Sequence, residues 1–225
     1  MQLNISHIRE IQQYSEKPVL GSILFTLFSV YNLYGSIILY IHKYSRPTKI
    51  NPSAIIHPSA CISSWGVVID KNVKIDEKSI IKAHTTIQSG VTIHDQCVIG
   101  DTGFQIYRYG MKRLPIVHTG SVNIANDVEV GEKTCIDRAV FGKTTFIDSH
   151  TRIGKNVKIG HNIRIGAYCI IDDDVAIGGN STIGDHVHIG KQVTISNRIK
   201  IGPNNAISPG VVQTRDLNGG KDVTL

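Results

Sequence analysis

Isoleucine recurs every six residues along most of this 225-residue chain. The step is unbroken through eleven isoleucines from Ile147 to Ile207, and shorter runs with one-residue slips precede it from Ile50 onward. A helix repeats at 3.6 residues and a strand at 2, so a six-residue step fits neither element extended over such a length. It predicts a coil of short strands joined by corners, in which three hexads, or 18 residues, close one turn.

The remaining positions of the hexad suit such a coil. Two residues before the isoleucine stands a side chain small enough for a narrow interior, as at Val157, Cys169 and Val175. Glycine often follows the isoleucine and Asn or Asp often stands three residues after it, and these types tolerate positive φ at a corner. Aromatic residues make up only 6% of the chain, which favours strands filled by Ile and Val. The expected fold is all-β, a parallel β-helix over residues 50–212.

Three segments fall outside the repeat. Residues 100–121, which read GDTGFQIYRYGMKRLPIVHTGS, break the six-step and carry aromatic and basic residues. An excursion of that length from a regular solenoid is typical of a functional loop. The other two are an N-terminal segment over 1–49 and a C-terminal tail over 213–225.

The N-terminal segment is apolar. Residues 18–41 contain no charged side chain, and His42, Lys43, Arg46 and Lys49 follow them. Length permits a membrane span, while a polar stripe and the basic flank favour a helix or helical hairpin lying on a membrane surface. A helical cap over the open end of the coil is the third interpretation. The polar residues that precede this segment do not resemble a secretory signal.

Composition narrows the partners. The net charge is +6, but the basic residues are scattered, which favours anionic small molecules or lipid head groups over nucleic acid. The four cysteines are far apart, as expected of reduced thiols in a cytoplasmic protein. The histidine spacing does not match that of zinc-dependent hydratases with this type of repeat, so we expect no metal site.

His161 is the residue that the coil itself does not require. It lies two positions after Ile159, so we expect it on a corner with its side chain projecting outward. Gly179 follows 18 residues later and should stack on it, about 5 Å away. An imidazole can take a proton from a nucleophile, and a backbone N–H can stabilise an oxyanion. The pair therefore suits acyl transfer.

From Gly100 to about Val212 the chain resembles the UDP-3-O-acylglucosamine N-acyltransferases of lipid A synthesis and shorter relatives that act on nucleotide-linked amino sugars. The resemblance rests on GDTGFQ at 100–105, DVEVG followed by TCIDRA at 127–139, and GHN at 160–162. It implies a left-handed coil, a homotrimer with active sites between neighbouring subunits, and a thioester co-substrate with no tightly bound cofactor. It also implies His161 as general base, Gly179 as oxyanion contact, and Asn162 and Phe104 as further site residues.

The chain departs from that family at several positions. The Asp that orients the family's base, seven residues before it, is replaced by Gly154, and a further family His aligns with Arg198. We therefore consider His150 or Asp137 as the residue that orients His161. Arg198, Lys200 and Arg215 are candidates for the phosphates of an acyl-CoA donor, with an acyl carrier protein as the alternative donor.

Three functions are compatible with these features. The leading one is N-acylation of a nucleotide-activated or lipid-linked amino sugar in lipopolysaccharide or surface polysaccharide synthesis, in the cytoplasm or at the inner membrane. An O-acetyltransferase of the serine or polysaccharide type is the second. A non-catalytic trimeric scaffold tethered to a membrane is the third.

Overall fold

The computed structural model describes residues 18–220 and 222–223. They form one helix, α1 (Pro18–Ser45), and 27 strands, nearly all of them parallel. Compactness divides these residues into two units. The first comprises residues 18–40 and 104–117, and the second comprises 41–103, 118–220 and 222–223.

The second unit is built from three parallel sheets, and consecutive strands of the coil belong to successive sheets. The first sheet contains β1 (Lys49–Ile50), β4 (Val67–Ile69), β7 (Thr85–Ile87), β12 (Ser121–Ile124), β15 (Thr144–Ile147), β18 (Arg164–Ile165), β21 (Thr182–Ile183) and β24 (Lys200–Ile201). The second contains β2 (Ile55–Ile56), β5 (Lys74–Ile75), β8 (Thr92–Ile93), β13 (Glu129–Val130), β16 (Arg152–Ile153), β19 (Ile170–Ile171), β22 (His188–Ile189), β25 (Ala206–Ile207) and β27 (Asp222–Val223). The third contains β3 (Cys61–Ile62), β6 (Ile80–Ile81), β9 (Val98–Thr102), β14 (Cys135–Arg138), β17 (Lys158–Ile159), β20 (Ala176–Ile177), β23 (Thr194–Ile195) and β26 (Val212–Gln213).

Registration between coils confirms the repeat. Ile159 pairs with Ile177 and Ile177 with Ile195, so residues 18 apart lie beside one another. From Ile69 onward, the isoleucines of the six-residue step are buried in one continuous interior column together with Val157, Val175 and the other small side chains, whereas Ile50 in the first coil is exposed. The fold class expected from the sequence, a left-handed parallel β-helix with an N-terminal helical segment, is confirmed.

The corners obey two separate rules. Asn156, Asn162 and Asn180 have φ near +60°, as expected for the residue three after the isoleucine. The glycines that follow the isoleucines do not have positive φ at most corners, so that part of the prediction is wrong. Glycine occurs at these positions because successive coils pack closely there. A Cβ on Gly131, for example, would lie 2.5 Å from the Gly154 carbonyl oxygen.

The sheet pairing continues beyond residue 212. Gln213 belongs to β26, Leu217 forms a parallel bridge to Ile201, and β27 pairs with β25. The expected tail over 213–225 therefore contains a further partial coil within the described residues. At the N-terminal side, α1 ends at Ser45 and β1 begins at Lys49. Residues 1–17 of the expected N-terminal segment lie outside the described residues.

The first unit joins the helix to the excursion. Within residues 100–121, β10 (Ile106–Tyr109) and β11 (Lys112–Pro115) form an antiparallel hairpin. Phe28 packs against Tyr107 with ring centroids 4.8 Å apart. Asn32, on the polar stripe of the helix, donates to the Pro115 carbonyl (2.7 Å) and accepts from the Val117 N–H (2.9 Å). The hairpin therefore covers one face of α1.

Candidate active site

His161 lies at the corner where the third sheet passes to the first, directly after β17. His161 is only 7% exposed, so neighbouring residues cover a side chain that was expected to project outward from the corner. The next coil presents Gly179 against the imidazole, and the ring of His118 packs on it from another side. These two neighbours convert a corner residue into a buried one.

Gly179 stacks on His161 as the 18-residue repeat predicted. A Cβ at position 179 would lie 2.9 Å from His161 Nε2, so only glycine leaves room for the imidazole. At comparable positions of other corners, the N–H groups of Lys155 and Ala167 donate to the Asp173 and Asp185 side chains. Within residues 18–220, no acceptor takes the Gly179 N–H in that way. A ligand oxygen can therefore accept from it.

Asn162 braces the corner that holds His161. Its side-chain oxygen accepts from the Val140 N–H (2.7 Å), its amide donates to Asn180 (3.2 Å), and its backbone N–H donates to Thr145 (3.0 Å). These bonds link three successive coils and use the left-handed backbone that Asn tolerates. Asn162 therefore fixes the backbone from which the imidazole extends.

The imidazole is held in its neutral form. Burial lowers the pKa of His161 below 6.5, the Asn162 side chain partly opposes this, and the charge of Arg198 adds to it. A histidine with a lowered pKa is unprotonated at neutral pH, which is the state that accepts a proton.

His118 is a site residue that the sequence pattern did not reveal. It is 1% exposed, and its ring meets that of His161 edge to face with centroids 5.5 Å apart. His118 is the one histidine in the excursion over 100–121, which was a usable signal. The six-residue repeat does not predict the position of His118, because residues 100–121 do not follow that repeat.

Asp137 approaches His118. A Cβ on Gly103 would lie 2.6 Å from Asp137 Oδ2 and 3.2 Å from His118 Nε2, so both side chains border the same glycine. Burial, together with the charge of Asp101, raises the pKa of Asp137 to about 6. Asp137 thus reaches the region of His161 through His118, in the coil that precedes His161.

The structure does not bring His150 to the site. His150 lies at the corner between the first and second sheets, where its ring stacks on Tyr168 at 4.8 Å. Tyr168 in turn stacks on His186 at 5.2 Å. The suggestion that His150 orients His161 is therefore wrong, because the two histidines occupy different columns of the coil.

The proposed substrate contacts separate into three places. Arg198 lies at the His161 corner, and its N–H donates to the Gly179 carbonyl (3.0 Å). Lys200 lies on the outer face of the first sheet, in β24. Phe104 belongs to the other unit and is 87% exposed. Of these residues, Arg198 alone is shown beside His161.

A groove of about 680 Å³ runs along the outer face of the third sheet. Its walls come from β14, β17, β20 and β23 and include Cys135, Asp137, Lys158 and Thr194. Gly160 and Gly178, the residues immediately before His161 and Gly179, also line it. The groove therefore leads along the sheet to the corner that carries His161.

Comparison with known proteins identifies the repeat. Residues 150–185 match the family described as bacterial transferase hexapeptide (six repeats). UDP-3-O-acylglucosamine N-acyltransferase of Helicobacter pylori (strain ATCC 700392 / 26695) is 43% identical over 72 residues, which are 29% of this chain and 21% of that protein. UDP-3-O-acylglucosamine N-acyltransferase 2 of Legionella pneumophila (strain Paris) is 39% identical over 75 residues, 31% of this chain and 22% of that protein. The resemblance inferred from the motifs is confirmed, and it spans about a fifth of the length of these relatives.

Solved structures similar to this chain include LpxA from Acinetobacter baumannii, at 24% identity and a TM-score of 0.46, covering 75% of this chain and 67% of that one. Another is PerB from Caulobacter crescentus, in complex with CoA and GDP-perosamine. It is 17% identical with a TM-score of 0.32, over 78% of this chain and 52% of that one.

Proposed function

We propose that this chain is an acyltransferase that moves an acetyl or other short acyl group from a thioester to the amine of a nucleotide-activated or lipid-linked amino sugar. The observation that carries the proposal is a buried imidazole beside a Gly179 N–H that no described side chain accepts from. The motifs shared with UDP-3-O-acylglucosamine N-acyltransferases support the reaction class.

The reaction needs one base and one oxyanion donor. His161 Nε2 removes a proton from the amine as its nitrogen attacks the thioester carbonyl carbon. The carbonyl oxygen becomes an oxyanion and accepts a hydrogen bond from the Gly179 N–H. The intermediate collapses with cleavage of the C–S bond, and the imidazolium returns its proton to the departing thiolate. The products are an amide and a free thiol.

The donor in this proposal is acyl-CoA, whose pantetheine arm is long and narrow and matches the groove along the third sheet. An acyl carrier protein presents the same arm and is the alternative donor. Arg198 is the residue beside the base that could meet an anionic group of either substrate. A homotrimer with sites between subunits, as the family resemblance implies, would close the groove from its open side.

The acyl transfer is tested by incubating the purified chain with acetyl-CoA and a panel of nucleotide-linked sugars, and by following release of free CoA thiol. Acetylation of sugars that carry an amine, and not of matched hydroxyl sugars, supports the proposal. Acetylation of the hydroxyl sugars alone would identify an O-acetyltransferase instead. Absence of turnover, together with no thermal stabilisation by any CoA ester or nucleotide sugar, would favour the non-catalytic scaffold.

We also propose that the enzyme works at the cytoplasmic surface of the inner membrane. Large side chains are exposed along α1 at helical spacing, namely Ile23, Leu27, Val30, Tyr34, Ile37, Ile41 and Tyr44. By length and composition, the stretch from Val19 to Ser45 could cross a membrane. The hairpin packed on its other face, however, carries Arg108, Lys112 and Arg113, which favours a helix lying in the interface over one surrounded by lipid.

Sedimentation with vesicles of phosphatidylglycerol and phosphatidylethanolamine tests this location. Val30→Glu with Ile37→Glu should abolish sedimentation, because it places two charges on the exposed apolar face. Val212→Glu, at an exposed apolar position of the β-helix, is the matched control. Equal sedimentation of all three proteins would contradict the proposal.

A further inference from the structure

A second cavity lies on the outer face of the third sheet, at the opposite side of β14 from the groove. Its volume is about 380 Å³, and its walls include Ser63, Trp65, Lys82 and Arg138. Among residues 18–220, no acidic side chain lines it. The strand β14 borders both cavities, because it gives Asp137 to the groove and Arg138 to this pocket.

Arg138 is a charged group with few partners. Its only described side-chain hydrogen bond is a long one from a terminal nitrogen to Thr102 (3.3 Å), and its Nε is buried with no acceptor within residues 18–220. It forms no ion pair with a described carboxylate. The guanidinium also lines the pocket, so an oxyanion there can accept a charge-assisted hydrogen bond from its terminal N–H groups.

The neighbouring charges leave Arg138 available. Lys82, on the same wall, forms an ion pair with Asp101, so the lysine is already neutralised. The charge of Asp101 acts on Arg138 from a distance, while burial lowers the pKa of the guanidinium. The pocket therefore keeps one uncompensated positive charge, at Arg138.

Trp65 gives the pocket a flat apolar wall in addition to the charged side chains of Lys82 and Arg138. Its ring meets His84 edge to face with centroids 5.2 Å apart, which fixes the indole plane. A planar base or the apolar face of a sugar could stack on it. A cation beside an aromatic plane is a suitable combination for a phosphorylated ring.

Arg138 reaches the pocket from β14, the strand next to β17, whereas most of the other lining residues belong to β3 and β6 or directly follow them, three and four strands from β17 in the sheet. Arg138 ends β14, and two residues later the Val140 N–H donates to Asn162, the residue next to His161. Successive coils are about 5 Å apart. A ligand with its phosphate on Arg138 can thus extend toward the His161 corner from the side that the groove does not occupy.

We propose that this pocket binds the phosphate or diphosphate of the acceptor substrate, with Arg138 as the anion contact and Trp65 as the stacking surface. The inference rests on the proposed function for the identity of the ligand, but not for the existence of an anion site. The donor would fill the groove, and the acceptor would enter from the other side of β14.

The test measures binding rather than turnover. Inorganic pyrophosphate is titrated into the full chain by calorimetry at constant ionic strength. Arg138→Gln should weaken its binding about tenfold or more, because a charge-assisted contact is lost. Lys74→Gln, which removes one exposed charge from the second sheet, is the control and should bind as the unmodified chain does. Thermal melting of each variant shows whether it folds, and Arg138→Lys, which keeps the charge, should bind with intermediate affinity.

Trp65 reports where the anion binds, because it is the only tryptophan of the chain. Its fluorescence should change saturably with pyrophosphate and more strongly with UDP, whose base can stack. Tighter binding of geranyl diphosphate than of UDP would indicate a lipid-linked acceptor, and the reverse a nucleotide. No detectable pyrophosphate binding, or equal affinity for the chain with and without Arg138→Gln, overturns the inference. Either result is compatible with acyl transfer. If the chain binds pyrophosphate at Arg138 but transfers no acyl group, only the proposed function is refuted.

Discussion

Two corners of the same coil carry histidines and use them differently. At the corner between the first and second sheets, His150, Tyr168 and His186 form an open ladder of stacked rings on successive coils. At the corner between the third and first sheets, His161 is followed one coil later by Gly179. The first column stacks a ring on each of three successive coils, and in the second column a glycine leaves the space that encloses the histidine.

The difference shows what distinguishes the candidate base from the other corner histidine. Both histidines stand at corners, and His150 has the positive φ that the repeat imposes there. His161 differs because a glycine above it and His118 beside it remove the imidazole from water and lower its pKa. The stacked column therefore serves packing, while the interrupted column encloses the imidazole that the proposed reaction requires.

The largest expected difference between the columns is in catalysis. His161→Ala should reduce kcat/KM by about 10²–10⁴, because general base catalysis contributes that much. His150→Ala should leave kcat/KM unchanged. Steady-state kinetics with the substrate identified in the acceptor panel measures both, and full activity of His161→Ala would refute the mechanism while leaving the fold intact.

Filling the interrupted column should have the next largest effect. Gly179→Ala keeps the N–H but puts a Cβ 2.9 Å from the present position of His161 Nε2, so the ring must move. We expect kcat to fall by about tenfold to a hundredfold, since a displacement of about 1 Å costs that much. Ala167→Gly, at a comparable position of another corner, is the control. An unchanged kcat for Gly179→Ala would show that the glycine is required for packing alone.

Opening the enclosure should change the pH profile. The imidazolium of His161 cannot accept a proton, so kcat/KM should fall as pH drops through its pKa, which burial places below 6.5. His118→Ala exposes the ring to water, and the pKa should rise toward 6.5. The groups that face the imidazole are His118, Asn162 and Arg198, and Arg198→Gln should move the acidic limb in the same direction by a smaller amount. A limb that stays in place in both variants would exclude His161 as the titrating group.

The smallest effect is expected in the ladder. Tyr168→Ala removes two stacking contacts and should lower the free energy of unfolding by about 1 kcal/mol, because each half-exposed ring pair contributes about 0.5 kcal/mol. Urea denaturation followed by circular dichroism measures this change, and kcat/KM should not move. A loss of activity at unchanged stability would mean that the ladder communicates with the His161 corner.

Sequence periodicity determined the architecture because the isoleucine step is local and strict. Once Ile147 to Ile207 repeat at six, their burial in one column and the registration of residues 18 apart follow from the geometry of a closed turn. The contact between His161 and Gly179 followed from the same arithmetic. The positive φ of Asn156, Asn162 and Asn180 was predictable as well, since Asn tolerates that conformation better than most residue types.

Only the tertiary structure shows how side chains pack where the six-residue repeat is interrupted. His118 and Asp137 meet beside Gly103 because the excursion returns to the coil at that corner, and no spacing rule describes its path. Burial of His161, the exclusion of His150 from the site, and the unpaired Nε of Arg138 depend on which side chains of neighbouring coils fill the space around them. A repeat specifies where its own residues stack, whereas packing around an interruption is a property of the folded chain.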